Sequence, residues 1–222
     1  MSADAGFWFV NRILSGQECD LLLRALSQLN GLRSRAGARH LMRHPEVAEV
    51  ASDSRLLSIA REALGPAAAP YRATLFEKSG ESNWLVVWHQ DTALPLVERF
   101  ESTEWGPWSM KAGIHYAHAP TWALERILAL RLHLDDSTAE NGPLRVIPGS
   151  HKLAVLPDER VFEIARQQPH VECLVPRGGV LAMRPLLIHS SQKAESPEPR
   201  RVLHLEYAAG LNLAPGIGLA VA

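Results

Sequence analysis

The stretch Ala129-Leu-Arg-Leu-His-Leu-Asp-Asp-Ser-Thr-Ala-Glu-Asn-Gly-Pro-Leu-Arg-Val-Ile-Pro-Gly-Ser-His151 sets the fold class of this chain. In its first half Arg131, His133 and Asp135 alternate with Leu130, Leu132 and Leu134, so charged and apolar side chains take opposite faces of an extended strand. Asn141-Gly142 then supplies a tight turn, Leu144–Ile147 a second short run, and Pro148-Gly149-Ser150-His151 another turn. Both turns read as structural, because a chain reversal needs these residue types whatever chemistry lies nearby. Short strands punctuated in this way point to a β architecture.

The pattern extends outward in both directions. Ala73–Lys78, Trp84–His89, Val171–Val175, Val180–Met183, Leu186–His189 and Val202–Tyr207 are further β-rich runs separated by Gly, Pro, Asn and Asp. Together they predict a sandwich or barrel. Upstream of Pro70 the period changes to that of helices. Ser15 and Glu18 form a capping box ahead of Leu21, Leu22, Ala25, Leu26 and Leu29, with Gly31 as the stop. A second helix is expected from about Pro45 to Leu64, closed by Gly65-Pro66. Residues 92–125 fit neither period. They hold Trp105, Trp108 and Trp122 with Pro95, Pro107 and Pro120, and read as a long aromatic loop whose rings either grip a substrate or join the core. The small, apolar tail from Asn212 to Ala222 is expected to be loosely ordered. The expectation is one mainly β (α+β) domain over residues 1–222, with a helical part over about 1–66 and a β core over about 70–210.

Composition narrows the function. A formal net charge of -1 offers no basic excess for a nucleic-acid backbone, so a nucleic-acid partner is not expected. The first residues lack a basic segment ahead of a long apolar core, so no signal peptide is read there. The longest apolar runs are too short to span a bilayer, so no membrane partner is expected either. Only Cys19 and Cys173 occur, which excludes a disulfide framework and makes a reducing cytoplasm the default.

Ten histidines stand out, and their placement carries the chemistry. Trp84-Leu-Val-Val-Trp-His-Gln-Asp91 is a strand ending in His-x-Asp, and positions i and i+2 share one face, so His89 and Asp91 converge on one point. His189 ends the apolar run Val180–Ile188 and is the natural third ligand. Two histidines and one carboxylate with open positions make the facial triad of non-haem iron(II) oxygenases. A second copy, His133-Leu-Asp135, has the same spacing, and spacing alone does not choose between them. His115-x-x-His118 lacks an evident third ligand.

Trp88-His-Gln-Asp-Thr92, His133-Leu-Asp-Asp136, Glu140-Asn-Gly-Pro-Leu-Arg-Val-Ile-Pro-Gly-Ser-His151, His189 and Pro199-Arg-Arg-Val-Leu-His-Leu-Glu-Tyr207 occur in an order that resembles the phytanoyl-CoA dioxygenase family of Fe(II)- and 2-oxoglutarate-dependent oxygenases. The resemblance covers roughly residues 70–210. It implies a double-stranded β-helix, a jelly-roll core with flanking helices. It implies His89, Asp91 and His189 as catalytic metal ligands for Fe(II). It implies Arg200, eleven residues past His189, as the anchor of the far carboxylate of 2-oxoglutarate. A planar guanidinium pairs bidentately with a carboxylate, so the residue type suits that role, and Arg201 is its neighbour and rival. Ser191, Lys78, Asn83 and Trp88 are further co-substrate candidates. His133 either faces the co-substrate or is a hydrogen-bonded strand residue. The implied reaction consumes O2 and 2-oxoglutarate, releases succinate and CO2, and hydroxylates a C–H bond of a small molecule. Halogenating relatives lack the metal carboxylate, so Asp91 favours hydroxylation.

Met110, His115, Tyr116 and His118 are candidate pocket residues, and Arg145 either binds a substrate carboxylate or forms a surface ion pair. A monomer or small homo-oligomer is expected. The alternatives are a non-catalytic β-helix relative that binds a metal or ligand, and a cupin-like isomerase. A dead relative would lose a triad member or the arginine, and all four are present.

Overall fold

The computed structural model describes residues 3–28, 33–34, 37–79 and 83–222. Its centre is an antiparallel sheet of seven strands. Their order is Phe7–Val10, Val180–Met183, Ile127–His133, Arg200–Ala208, Ala69–Lys78, Gly37–Ala38 and Arg33–Ser34. Leu128, Leu130, Leu132, Leu203 and Leu205 form one face of this sheet and are fully buried. They pack in one core with Leu22, Leu26, Val47 and Leu56 from helices Gly16–Ser27, Pro45–Ala51 and Ser54–Leu64.

The other face looks inward. Near the Phe7–Val10 edge it is apolar, and Phe7, Ala129, Leu181 and Met183 meet Leu144, Val146 and Cys173 of a second, four-stranded sheet. That sheet runs Val171–Cys173, Leu144–Val146, His189–Ser191 and Val86–His89. Two facing antiparallel sheets with helices behind the larger one make a jelly-roll core, and the sheets do not close into a barrel. Towards the opposite edge the inner face turns polar. Thr74, Lys78, Arg131, His133, Arg200, His204 and Glu206 are all buried there. A buried polar surface of this extent needs partners, so the fold itself marks where the chemistry lies.

Four expectations are corrected. The second helix is two, Pro45–Ala51 and Ser54–Leu64, because Asp53 accepts the Arg55 amide at 2.8 Å and caps a new helix. Pairing in the smaller sheet begins at His189 and runs to Ser191, so Leu186–Ile188 lead into that strand. Residues 92–125 are a three-stranded sheet of Ala93–Leu96, Ile114–His118 and Trp108–Lys111. Trp105, Trp108 and Trp122 pack there with Phe100 in a separate core, off the walls of the chambers at the metal centre. The tail is ordered: Leu213, Leu219 and Ala222 are buried, and the Ala222 backbone bonds to Tyr71 and Ala73. The capping box of Ser15 and Glu18 is present, and Leu29 and Gly31 lie outside the described residues. Helix Asp158–Gln167 had no counterpart in the strand pattern.

Candidate metal centre and its two chambers

His89 and His189 face each other across paired strands, in direct register. Their ring centroids are 4.2 Å apart. His89 Nε2 lies 3.7 Å from one Asp91 oxygen and His189 Nε2 lies 3.5 Å from the other. Among the described residues this is the group of three whose ligand atoms converge, all within 4.8 Å of one another. The Asp91 amide donates to Pro185 O at 2.9 Å, which pins the residue just past the strand end.

The tautomers follow from acceptors. His89 Nδ1 is 2.8 Å from Val87 O, and His189 Nδ1 is 2.8 Å from Leu187 O. A carbonyl only accepts, so both Nδ1 atoms carry the proton and both Nε2 lone pairs face the centre. Burial, aided by the His89 charge, pushes the His189 imidazole down to about 3, so it stays neutral. Burial also opposes ionisation of Asp91, but His189 and His89 outweigh it and hold the carboxyl well below its ordinary range. Burial would lower His89, yet the Asp91 carboxylate beside it outweighs this and raises it.

Two chambers meet at this triad, both touching Phe76, His89 and Asp91. The smaller, about 100 Å³, is walled by Lys78, Arg131, His189, Ser191 and Arg200 among others. Arg200 is buried and donates from Nε to Asn141 O at 3.1 Å, while its Nη1 has no partner. Burial, with the nearby Arg131 charge, pushes Arg200 down to about 9. Lys78 donates to Ser191 Oγ at 2.6 Å and to Gln192 O, and burial, with Arg200, Arg131 and Arg145 nearby, takes it down to about 7. A buried guanidinium without a carboxylate is costly. This chamber therefore calls for an anion.

Arg201 points the other way and pairs bidentately with Asp135, at 2.7 Å for both contacts. This separates the two His-x-Asp copies: Asp91 faces the centre, and Asp135 is held by Arg201. His133 lies on the Arg131 face, buried, with neither ring nitrogen partnered and off the walls of both chambers. Asn83 also lies off the walls. Its amide exchanges two 2.7 Å bonds with the Ala194 backbone and fixes the segment that receives Lys78. Trp88, next to His89, faces away from the centre, because neighbours on a strand alternate. It packs on the Ile147, Val161 and Ile188 cluster, with Arg145 5.1 Å over its ring. Arg145 donates to Ser190 Oγ at 3.2 Å, lies off the walls of both chambers and has no ion-pair partner among the described residues.

The larger chamber, about 370 Å³, lies on the other side of His89 and Asp91. Arg72 and Thr74 come from the main sheet, Lys111, Tyr116 and His118 from the three-stranded sheet, and Arg39 and His40 from the segment before them. Arg72 is paired with Glu206 at 2.7 Å. His204 accepts from Arg131 Nη1 at 3.1 Å through Nδ1, and its Nε2 lies 3.8 Å from Glu206, so a buried chain of groups links the two chambers. Met110 is exposed and off both walls, and His115 and His118 do not converge on a metal. The sequence places Arg131 on the face opposite the leucines without giving it a role, and gives no role to Arg72 or Glu206. The signal for Arg131 was its alternation with buried leucines, since a charge there points into the sandwich.

The sequence matches the phytanoyl-CoA dioxygenase (PhyH) family over residues 3–202. Ectoine dioxygenase from Sphingopyxis alaskensis is 27% identical over 190 residues, covering 76% of this chain and 55% of the relative. L-proline trans-4-hydroxylase from Streptomyces griseoviridis is 26% identical over 178 residues, covering 68% and 59%. The chain thus spans a little over half the length of these curated relatives. The crystal structure of EctD from S. alaskensis with 2-oxoglutarate and 5-hydroxyectoine superposes with a TM-score of 0.69 at 24% identity, over 94% of this chain and 73% of that one. The non-heme alpha ketoglutarate dependent carbocyclase SnoK from nogalamycin biosynthesis gives a TM-score of 0.70 at 17% identity, over 94% and 81%. These likenesses show the fold, and the family match runs through the triad into the strand of Arg200. The chain belongs to the phytanoyl-CoA dioxygenase family.

Proposed function

We propose that the chain is an Fe(II)- and 2-oxoglutarate-dependent oxygenase that hydroxylates a C–H bond of a small molecule. The observation that carries this reading is the adjacency of two ligand-directed groups of side chains. One is a His-Asp-His cluster with both Nε2 atoms free, and the other is a buried arginine with an unpartnered Nη1. Two neutral imidazoles and a carboxylate suit ferrous iron, with positions left for a chelate and O2. Relatives named as a dioxygenase and a hydroxylase, and a neighbour crystallised with iron, support it.

His89, Asp91 and His189 would hold the metal. Arg200 would pair with the far carboxylate of 2-oxoglutarate, with Lys78 and Ser191 at the wall beside it. When bound, iron and 2-oxoglutarate supply the oxidising chemistry: R–H, O2 and 2-oxoglutarate give R–OH, succinate and CO2. The protein's share is placement. Nδ1 bonds fix the imidazole planes, Phe76 and Leu144 keep the small chamber dry, and the larger chamber receives the C–H bond. The same reading takes the chain as one domain acting in the cytoplasm as a monomer or small homo-oligomer, without a nucleic-acid or membrane partner. The free buried cysteines Cys19 and Cys173 suit a reducing compartment.

Succinate formation tests the reading. Purified protein with ferrous iron, 2-oxoglutarate and O2 should release succinate, slowly without substrate, and His189→Ala should reduce it to background. Iron-independent succinate, or a His189→Ala variant as active as the parent, would contradict it.

A further inference from the structure

The wall of the larger chamber carries an imbalance of charge that the reaction does not explain. Its cations are Arg39, Arg72 and Lys111, and its one carboxylate is the metal ligand Asp91. Arg72 is neutralised by Glu206. Arg39 and Lys111 have no ion-pair partner among the described residues, and both are exposed on the open side of the chamber. The Lys111 ammonium stands 4.9 Å from the Tyr116 ring centroid, and the Arg72 guanidinium 5.8 Å from it. Tyr116 is itself fixed, its hydroxyl 2.9 Å from His40 Nε2. Desolvation lowers Lys111, and the Arg39 and Arg72 charges lower it further, so these cations crowd one another. The remaining wall is mixed, with Thr74, Gln90, Thr92 and His118 beside the apolar Phe76 and Ala93. A cluster of like charges with no counter-ion concentrates anions and repels cations.

We propose that the substrate is a small organic anion whose carboxylate or phosphate docks on Lys111 and Arg39, with its target C–H bond directed at the His89–Asp91 side of the chamber. This rests on the reading above that the larger chamber receives the substrate. The two anchors come from different segments, the stretch before the Leu41–Arg43 turn and the Trp108–Lys111 strand, so the main sheet, the three-stranded sheet and that stretch build the wall together. An uncharged substrate would leave the Lys111 and Arg39 charges without a partner.

Ligand-observed NMR on the full chain, loaded with zinc and saturated with 2-oxoglutarate, tests this without turnover. The probes are benzoate, its uncharged counterpart benzamide, and inorganic phosphate. Saturable binding of benzoate or phosphate is expected, with benzamide weaker. The tighter of the two anions tells carboxylate from phosphate recognition. In the double variant Arg39→Gln, Lys111→Met anion binding should weaken by about tenfold or more. Lys111→Met keeps the aliphatic stem against Tyr116. Benzamide binding as well as benzoate, neither anion binding, or an unchanged double variant would overturn the proposal. So would loss of anion binding in Arg200→Ala alone, which would place the anion in the small chamber. None of these outcomes depends on succinate release, so failure here and failure of the oxygenase reading are separate results.

Discussion

Adjacent arginines on one strand have opposite surroundings, and the difference decides the co-substrate site. Arg200 points into the sandwich towards Asn141 O and the smaller chamber, whereas Arg201 locks onto Asp135 outside it. Strand alternation made the two mutually exclusive in the sequence, but it did not say which face was inner. The register does, because Arg200 pairs with Lys78, the buried end of the neighbouring strand. Arg200→Ala should therefore raise the 2-oxoglutarate KM by roughly a hundredfold, since a charge-assisted bidentate contact is lost. Arg201→Ala should leave that KM unchanged and lower stability by about 1 kcal/mol, read as a shift in the denaturation midpoint. Convergence of His89 and Asp91 was legible because the i, i+2 rule is local. The fate of Asp135 was not, because its partner lies 66 residues away.

At the scale of elements, the turns turn out to position the site they adjoin. Gly142 has φ +68°, and a Cβ there would sit 2.5 Å from Gln192 O and 3.2 Å from Lys78 Nζ. The Asn141 side chain ties the same turn to Asp136 O and to the Thr138 amide, which presents Asn141 O to Arg200. Ser150 acts likewise: it donates to Ile147 O and accepts the Ile188 amide, one residue before His189. Gly142→Ala should thus cost about 1–3 kcal/mol of stability and also weaken 2-oxoglutarate binding. Thermal denaturation and the 2-oxoglutarate KM measured together check it, and a stability loss with an unchanged KM would deny the turn its positioning role. The Asn-Gly signal was readable as a turn, but its task was not. The hairpin of Trp108–Lys111 and Ile114–His118 was not readable at all. Its two-residue turn is Ala112-Gly113, with both residues at positive φ. The usual signal for that geometry is Asn-Gly or Asp-Gly. Without it, four- and five-residue strands look like loop.

Across the whole molecule, the inner face of the main sheet and the triad concentrate positive charge in a chain whose formal net charge is only -1. Lys78, Arg72, Arg131 and Arg200 line the two chambers, against the carboxylates of Asp91 and Glu206. The segregation into helices first and β core later was legible from periodicity. This charge gathering was not, since it assembles residues from three strands. Adding a dication alone to such a site increases the imbalance, and adding a dianion with it restores balance. Iron and 2-oxoglutarate should therefore bind with positive coupling. The most direct test is an anaerobic titration of the protein with ferrous iron, with and without saturating 2-oxoglutarate, followed by the visible iron-to-ligand charge-transfer absorbance and by bound iron. One equivalent of iron is expected, with tighter binding when 2-oxoglutarate is present and no charge-transfer absorbance in His189→Ala. Iron binding retained in His189→Ala, or no absorbance in the parent protein, would contradict it.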